Sequence, residues 1–158
     1  MEPVQAGYLT LFALVLLGEA GVPLLAPAEL VLIGAGVAAA NGLGSLTAAV
    51  AIALAADLLG TMALFAAVRR AARRSPTSRA SRVVAWLTAR ATRLGGSRAQ
   101  HVALGRCVPL LRIPATAGAA LGGLTTSRFA LSALVGGAVW VAVFLGGAFV
   151  AARGGLPW

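Results

Sequence analysis

Two long stretches of this chain carry almost no charge, and they decide what it can become. Leu43 to Val68 holds one acid, Asp57, and Phe129 to Ala152 holds no charged residue. Each exceeds the ~20 apolar residues that an α-helix needs to cross a bilayer. Of the 158 residues 59% are hydrophobic, and the mean hydropathy is +0.92. A water-soluble domain of this length would carry far more surface charge. The expected fold is an all-α integral membrane protein, and the length suits a single membrane domain over residues 1–158. No cleavable signal peptide is expected. The start holds Glu2 and no Arg, and Gly-Glu-Ala-Gly-Val-Pro follows the first apolar run.

Shorter apolar segments are broken by Gly and Pro. Tyr8–Leu17 and Leu30–Ala40 are each about half a span in length. Between them runs Gly-Glu-Ala-Gly-Val-Pro-Leu-Leu-Ala-Pro-Ala, beginning at Gly18. A similar string, Gly-Arg-Cys-Val-Pro-Leu-Leu-Arg-Ile-Pro-Ala, begins at Gly105 and interrupts His101–Leu124 at Pro109, Arg112 and Pro114. Backbone groups in hydrocarbon must be satisfied internally, so a half-length helix cannot end facing lipid. Two such helices around a break instead suit a re-entrant hairpin whose tip lies in protein or a water-filled cavity. The expected tips are Val22–Ala28 and Pro109–Pro114. For Tyr8–Ala40, a pair of Pro-kinked ordinary spans is the competing reading.

Between the halves, Arg69–Arg98 holds nine Arg and no acid. The positive-inside rule puts this linker on the cytoplasmic side. Its centre, Arg79–Arg93, could form an amphipathic interfacial helix, with Val83, Val84, Trp86 and Leu87 on the apolar side; the competing reading is a topology determinant and nothing more. The net charge is +9. The repeat continues past the tips. Ala35-Gly36 answers Ala117-Gly118, Leu46 answers Phe129, Asp57 answers Trp140, and Arg70 answers Arg153. The chain therefore reads as hairpin plus span (8–68), linker (69–100), hairpin plus span (101–153). With both ends of the linker on one side, the second half is inverted relative to the first. Many secondary transporters use that arrangement.

The charges outside the linker carry the candidate chemistry. Glu19 and Glu29 flank the first tip, Arg106 and Arg112 flank the second, and Asp57 lies mid-span. An ionised group within the membrane costs at least ~2.5 kcal/mol, so it faces a partner or a cavity. Arg presents a planar fork that matches phosphate or carboxylate. Burial and a neighbouring guanidinium push a carboxyl's proton affinity in opposite directions, which allows tuning for proton coupling. Mutual neutralisation that merely holds the hairpins together is the alternative role. An enzyme is the least supported class. His101 is the only His, no His/Cys cluster marks a metal site, and no Ser-His-Asp set forms around it. No cofactor and no nucleic acid is called for. Thr125-Thr126-Ser127 reads as the N-cap of the last span.

These residues resemble the DedA family, also called the SNARE-associated or VTT-domain family. The likeness covers roughly residues 12 to 153. Its most specific part is Gly105-Arg106-Cys107-Val108-Pro109-Leu110-Leu111-Arg112 with Ala117-Gly118, Phe129 and Trp140. The first half is looser. Where the family often has Gly-Asp followed by Tyr and Gly-Arg, this chain has Ala56-Asp57, Thr61 and Phe65-Ala66. The resemblance implies two facing re-entrant hairpins in a bacterial plasma membrane. It also implies transfer of a lipid phosphate, undecaprenyl phosphate or a phospholipid, between leaflets with proton coupling. By position it assigns substrate contacts to Glu29, Asp57, Arg106 and Arg112, with Glu19 beside them. The expected partners are membrane lipids and protons, and a homo-oligomer is compatible with the pattern. A proton-coupled small-solute or ion transporter would use the same acids. A non-transporting scaffold would need only the linker and the packed hairpins.

Overall fold

A computed structural model describes residues 3–22, 27–74, 99–108 and 111–154. The centre of the first tip (23–26), Pro109 and Leu110 of the second, and residues 75–98 of the linker with its expected helix over Arg79–Arg93 lie outside the described residues. Among the described residues every regular element is helical. The helices are α1 (Pro3–Glu19), α2 (Ala28–Ala40), α3 (Leu46–Arg74), α4 (Ala99–Arg106), α5 (Arg112–Leu121) and α6 (Thr126–Val141). A π-helical turn over Ala142–Gly146 then leads into α7 (Gly147–Arg153). Each half thus follows one order: short helix, break, short helix, tight turn, long helix.

The two tight turns share a device. After α2, Gly42 adopts φ +77°, and Leu43 N–H donates to the Ala38 carbonyl at 2.9 Å. After α5, Gly123 adopts φ +76°, and Leu124 N–H donates to the Ala119 carbonyl at 3.3 Å. Both are Schellman-type ends, in which a left-handed Gly turns the chain back onto the carbonyls that the helix leaves unsatisfied. Ser45 then opens α3, its Oγ accepting from Ala48 N–H at 3.4 Å.

One expected break is absent. Pro114 does not interrupt a helix but occupies the third position of α5. First-turn N–H groups have no intrahelical acceptor, so Pro is tolerated there. The break instead closes before Arg112, which begins the helix.

Two helical stretches, Leu46–Arg73 and Thr126–Arg153, are each 28 residues, long and apolar enough to cross a membrane. Only 39% and 33% of their most apolar windows are buried within the chain. The core helix of a soluble protein would be mostly covered. Here Leu131, Leu134, Val135, Val139, Val143 and Val150 stay exposed along one long helical stretch.

The chain forms two compact units that do not coincide with the sequence halves. The first comprises Met1–Gly60 and Ala138–Trp158. Its core joins Leu11 and Val15 of α1, Leu32 of α2, Ala49, Ala53 and Ala56 of α3, and Trp140, Val141 and Leu145. Trp140 meets Phe144 edge-on, with ring centroids 6.1 Å apart. α2 packs along the π-turn and α7. The second unit is Thr61–Gly137. There α4 packs on α5, and Phe65 stacks on Phe129 at 4.1 Å with planes 13° apart.

Candidate functional site

Four of the five charged residues singled out by sequence are buried. Asp57 is 1% exposed, Arg106 0%, Arg112 4% and Glu19 7%. None of the four is left without a partner, as the desolvation cost of a buried charge demands. Glu29 differs from them, being only half-buried in the first turn of α2. A carboxylate there is favoured by the positive end of the helix dipole, so its placement has a local explanation.

In the first unit, Glu19 closes α1. An acid at a helix C-terminus opposes the dipole, and this one is also buried. Its position is therefore the more costly of the two glutamates flanking the first tip. The end of α1 lies directly against α3. A Cβ added to Gly60 would come within 2.5 Å of the Leu16 carbonyl oxygen and 2.8 Å of the Glu19 Cβ. Gly60 is one turn beyond Asp57 on the buried side of α3. The fold thus sets Glu19 against the stretch of α3 that carries Asp57.

The second unit assembles the arginines. Arg106 ends α4 and Arg112 begins α5. Small residues let the elements approach. A Cβ on Gly105 would lie 2.9 Å from Ala115 Cβ, and one on Gly136 would lie 2.9 Å from Arg106 Cβ. Thr116 ties the pair together. Its hydroxyl donates to the Arg112 carbonyl at 2.9 Å and accepts from Arg106 Nη1 at 3.4 Å. Thr116 is itself buried, and the sequence reading passes over it. Its signal is the spacing: four residues beyond Arg112, it shares that residue's helix face. Thr61 is likewise buried and unforeseen.

The acids therefore belong to one compact unit and the two tip arginines to the other. Among the described residues, no group of three or more His, Cys, Asp or Glu has the arrangement of a metal site. Cys107, next to Arg106, is exposed with a free thiol. The first unit also has an apolar groove of 460 Å³ between α1 and α2, lined by Tyr8, Leu11, Gly34, Ala35 and Ala38 among others. No protein-family model, no curated protein and no solved structure matches the chain.

Proposed function

We propose that this chain is an integral membrane protein of the DedA type that moves a lipid phosphate between leaflets. The observation that carries the reading is the Arg106–Thr116–Arg112 assembly. It consists of two buried arginines on separate short helices, with Thr116 bonded to the Arg106 guanidinium and to the Arg112 main-chain carbonyl, and with close glycine contacts around them. A membrane setting accounts for the two 28-residue apolar helices and their uncovered faces. In that setting the Gly/Pro stretches between α1 and α2 and between α4 and α5 serve as the tips of re-entrant hairpins, and the repeated element order reads as an inverted repeat.

The division of labour follows from chemistry. A phosphate cannot cross hydrocarbon uncompensated. Arg106 and Arg112 offer it forked donors, while Glu19 and Asp57 supply groups that gain and lose a proton. A hydrocarbon tail needs only apolar surface, which the groove between α1 and α2 provides. The buried arginines must become accessible in the course of a cycle.

The test is reconstitution in liposomes with a fluorescent lipid phosphate, scored by the rate at which the label reaches the opposite leaflet. Transfer above empty vesicles, reduced at least tenfold by Arg112→Gln, supports the reading. Transfer no faster than in empty vesicles, with or without a proton gradient, overturns it.

A further inference from the structure

The second unit holds another cationic feature, lined by neither Arg106 nor Arg112. At the end of α3, Arg69, Arg70 and Arg73 open onto a cavity of 200 Å³, with Phe65 on its floor and Thr126 of α6 on its wall. Arg69 is held from two directions. Its guanidinium carbon lies 5.4 Å from the Phe65 ring centroid, and its Nη1 donates to Thr126 Oγ1 at 3.5 Å. Phe65 is itself fixed, buried and stacked on Phe129. Arg70, Arg73 and Thr126 are exposed, so the cavity is accessible.

Three positive charges in little more than one helical turn repel one another, and the Arg69–Arg73 spacing is an unfavourable one on a helix. No acidic residue follows Asp57 in the sequence, and none lines the cavity. What fits the cavity is a multivalent oxyanion. A phosphomonoester presents three peripheral oxygens. It can take one guanidinium edge from each Arg and a hydroxyl from Thr126, and the Phe65-backed fork of Arg69 is already positioned.

We propose that this cavity binds a phosphomonoester, presented at the membrane surface as a lipid headgroup. α3 is apolar from Leu46 to Val68 apart from Asp57, and Arg69 is the first basic residue after it. In a bilayer the cavity therefore falls at headgroup depth. The inference rests on the membrane reading but not on leaflet transfer.

The test uses the full chain purified in detergent and mixed with phosphatidic acid, phosphatidylglycerol or phosphatidylcholine. Retained lipid is counted by native mass spectrometry. Phosphatidic acid should be retained about tenfold over phosphatidylcholine, the preference expected from one strong charge-assisted contact. Arg69→Gln with Arg73→Gln should abolish the preference. Arg73→Gln alone, at an exposed side chain, should reduce it severalfold without touching the packing. Arg69→Lys keeps the charge but loses the fork, and should also weaken retention. Inorganic phosphate serves as a competitor. Displacement by millimolar phosphate assigns the site to soluble phosphates, and resistance to displacement assigns it to the lipid headgroup. Equal retention of phosphatidic acid and phosphatidylcholine by the wild type, or wild-type retention by the double variant, overturns the proposal. Leaflet transfer is a separate readout, so failure here and failure there are told apart.

Discussion

Gly36 and Gly34 lie two residues apart on α2, and the structure assigns them opposite responses to the same change. A Cβ on Gly34 would meet nothing within 4 Å. A Cβ on Gly36 would land on the Leu145 carbonyl oxygen in the π-turn, with Ala148 Cβ 3.1 Å away. Replacing a helical Gly by Ala removes backbone freedom from the unfolded chain and gains about 1 kcal/mol. Gly34→Ala should keep that gain. Gly36→Ala has the same gain, but its clash is with backbone rather than with a pliable side-chain end. α2 must then shift off the π-turn, and overpacking of that kind costs about 3 kcal/mol, the upper end of the usual range. The net expectation is stabilisation by about 1 kcal/mol for Gly34→Ala and destabilisation by about 2 kcal/mol for Gly36→Ala. The assay is reversible unfolding in mixed micelles with rising SDS. Trp86→Phe and Trp158→Phe leave Trp140, buried in the first unit's core, as the only indole. Gly36→Ala at or above wild-type stability, or equal shifts for both variants, would refute the close approach of α2 to the π-turn.

Two further predictions concern the first unit. The Tyr8 hydroxyl accepts from Ser45 N–H at 2.6 Å and donates to the Ser45 carbonyl at 3.3 Å, tying α1 to the start of α3. Tyr8→Phe should therefore cost about 1 kcal/mol in the same unfolding assay, and no measurable loss would show the tie to be energetically idle. In the transfer assay, Asp57→Asn and Glu19→Gln should each remove the response to an imposed proton gradient, whereas Glu29→Gln should keep it and cost only about 0.5 kcal/mol of stability through the helix dipole. A Glu29→Gln variant that loses coupling while Glu19→Gln retains it would reverse the ranking drawn from burial.

The elements and their order were readable from the apolar runs, because run length and the positions of Gly and Pro are backbone constraints that the sequence states directly. The Schellman turns were equally readable in principle: an Ala-rich run closed by Asn41-Gly42-Leu43 or Gly122-Gly123-Leu124 is a C-cap signal. The π-turn at Ala142–Gly146 was not: it lies where α2 packs against the long helix, a tertiary contact that local sequence does not state. Pro114 was misread because a proline's effect depends on its distance from the helix start, and that start was unknown. The ranking of the acids needed burial. The sequence and its family resemblance favour Glu29 over Glu19, while the fold leaves Glu29 in a half-exposed first turn and buries Glu19 at a C-terminus.

The likeness between the halves is therefore a likeness of frame. Both use a left-handed Gly turn before the long helix, and both place an Arg four residues beyond a Phe near its end. Arg69 lies over Phe65, and Arg153 over Phe149 at 4.9 Å. The side chains that do chemistry break the symmetry. Every acidic side chain lies at or before Asp57, and both tip arginines lie after residue 100. Any proton carried by a carboxyl must be carried by the first half. Any phosphate held at a tip by paired guanidinium groups must be held by the second. A chimera with the second half duplicated would keep the frame and the phosphate donors. It would also have no carboxylate in its helices, and on this reasoning it should bind lipid phosphate yet be blind to a proton gradient.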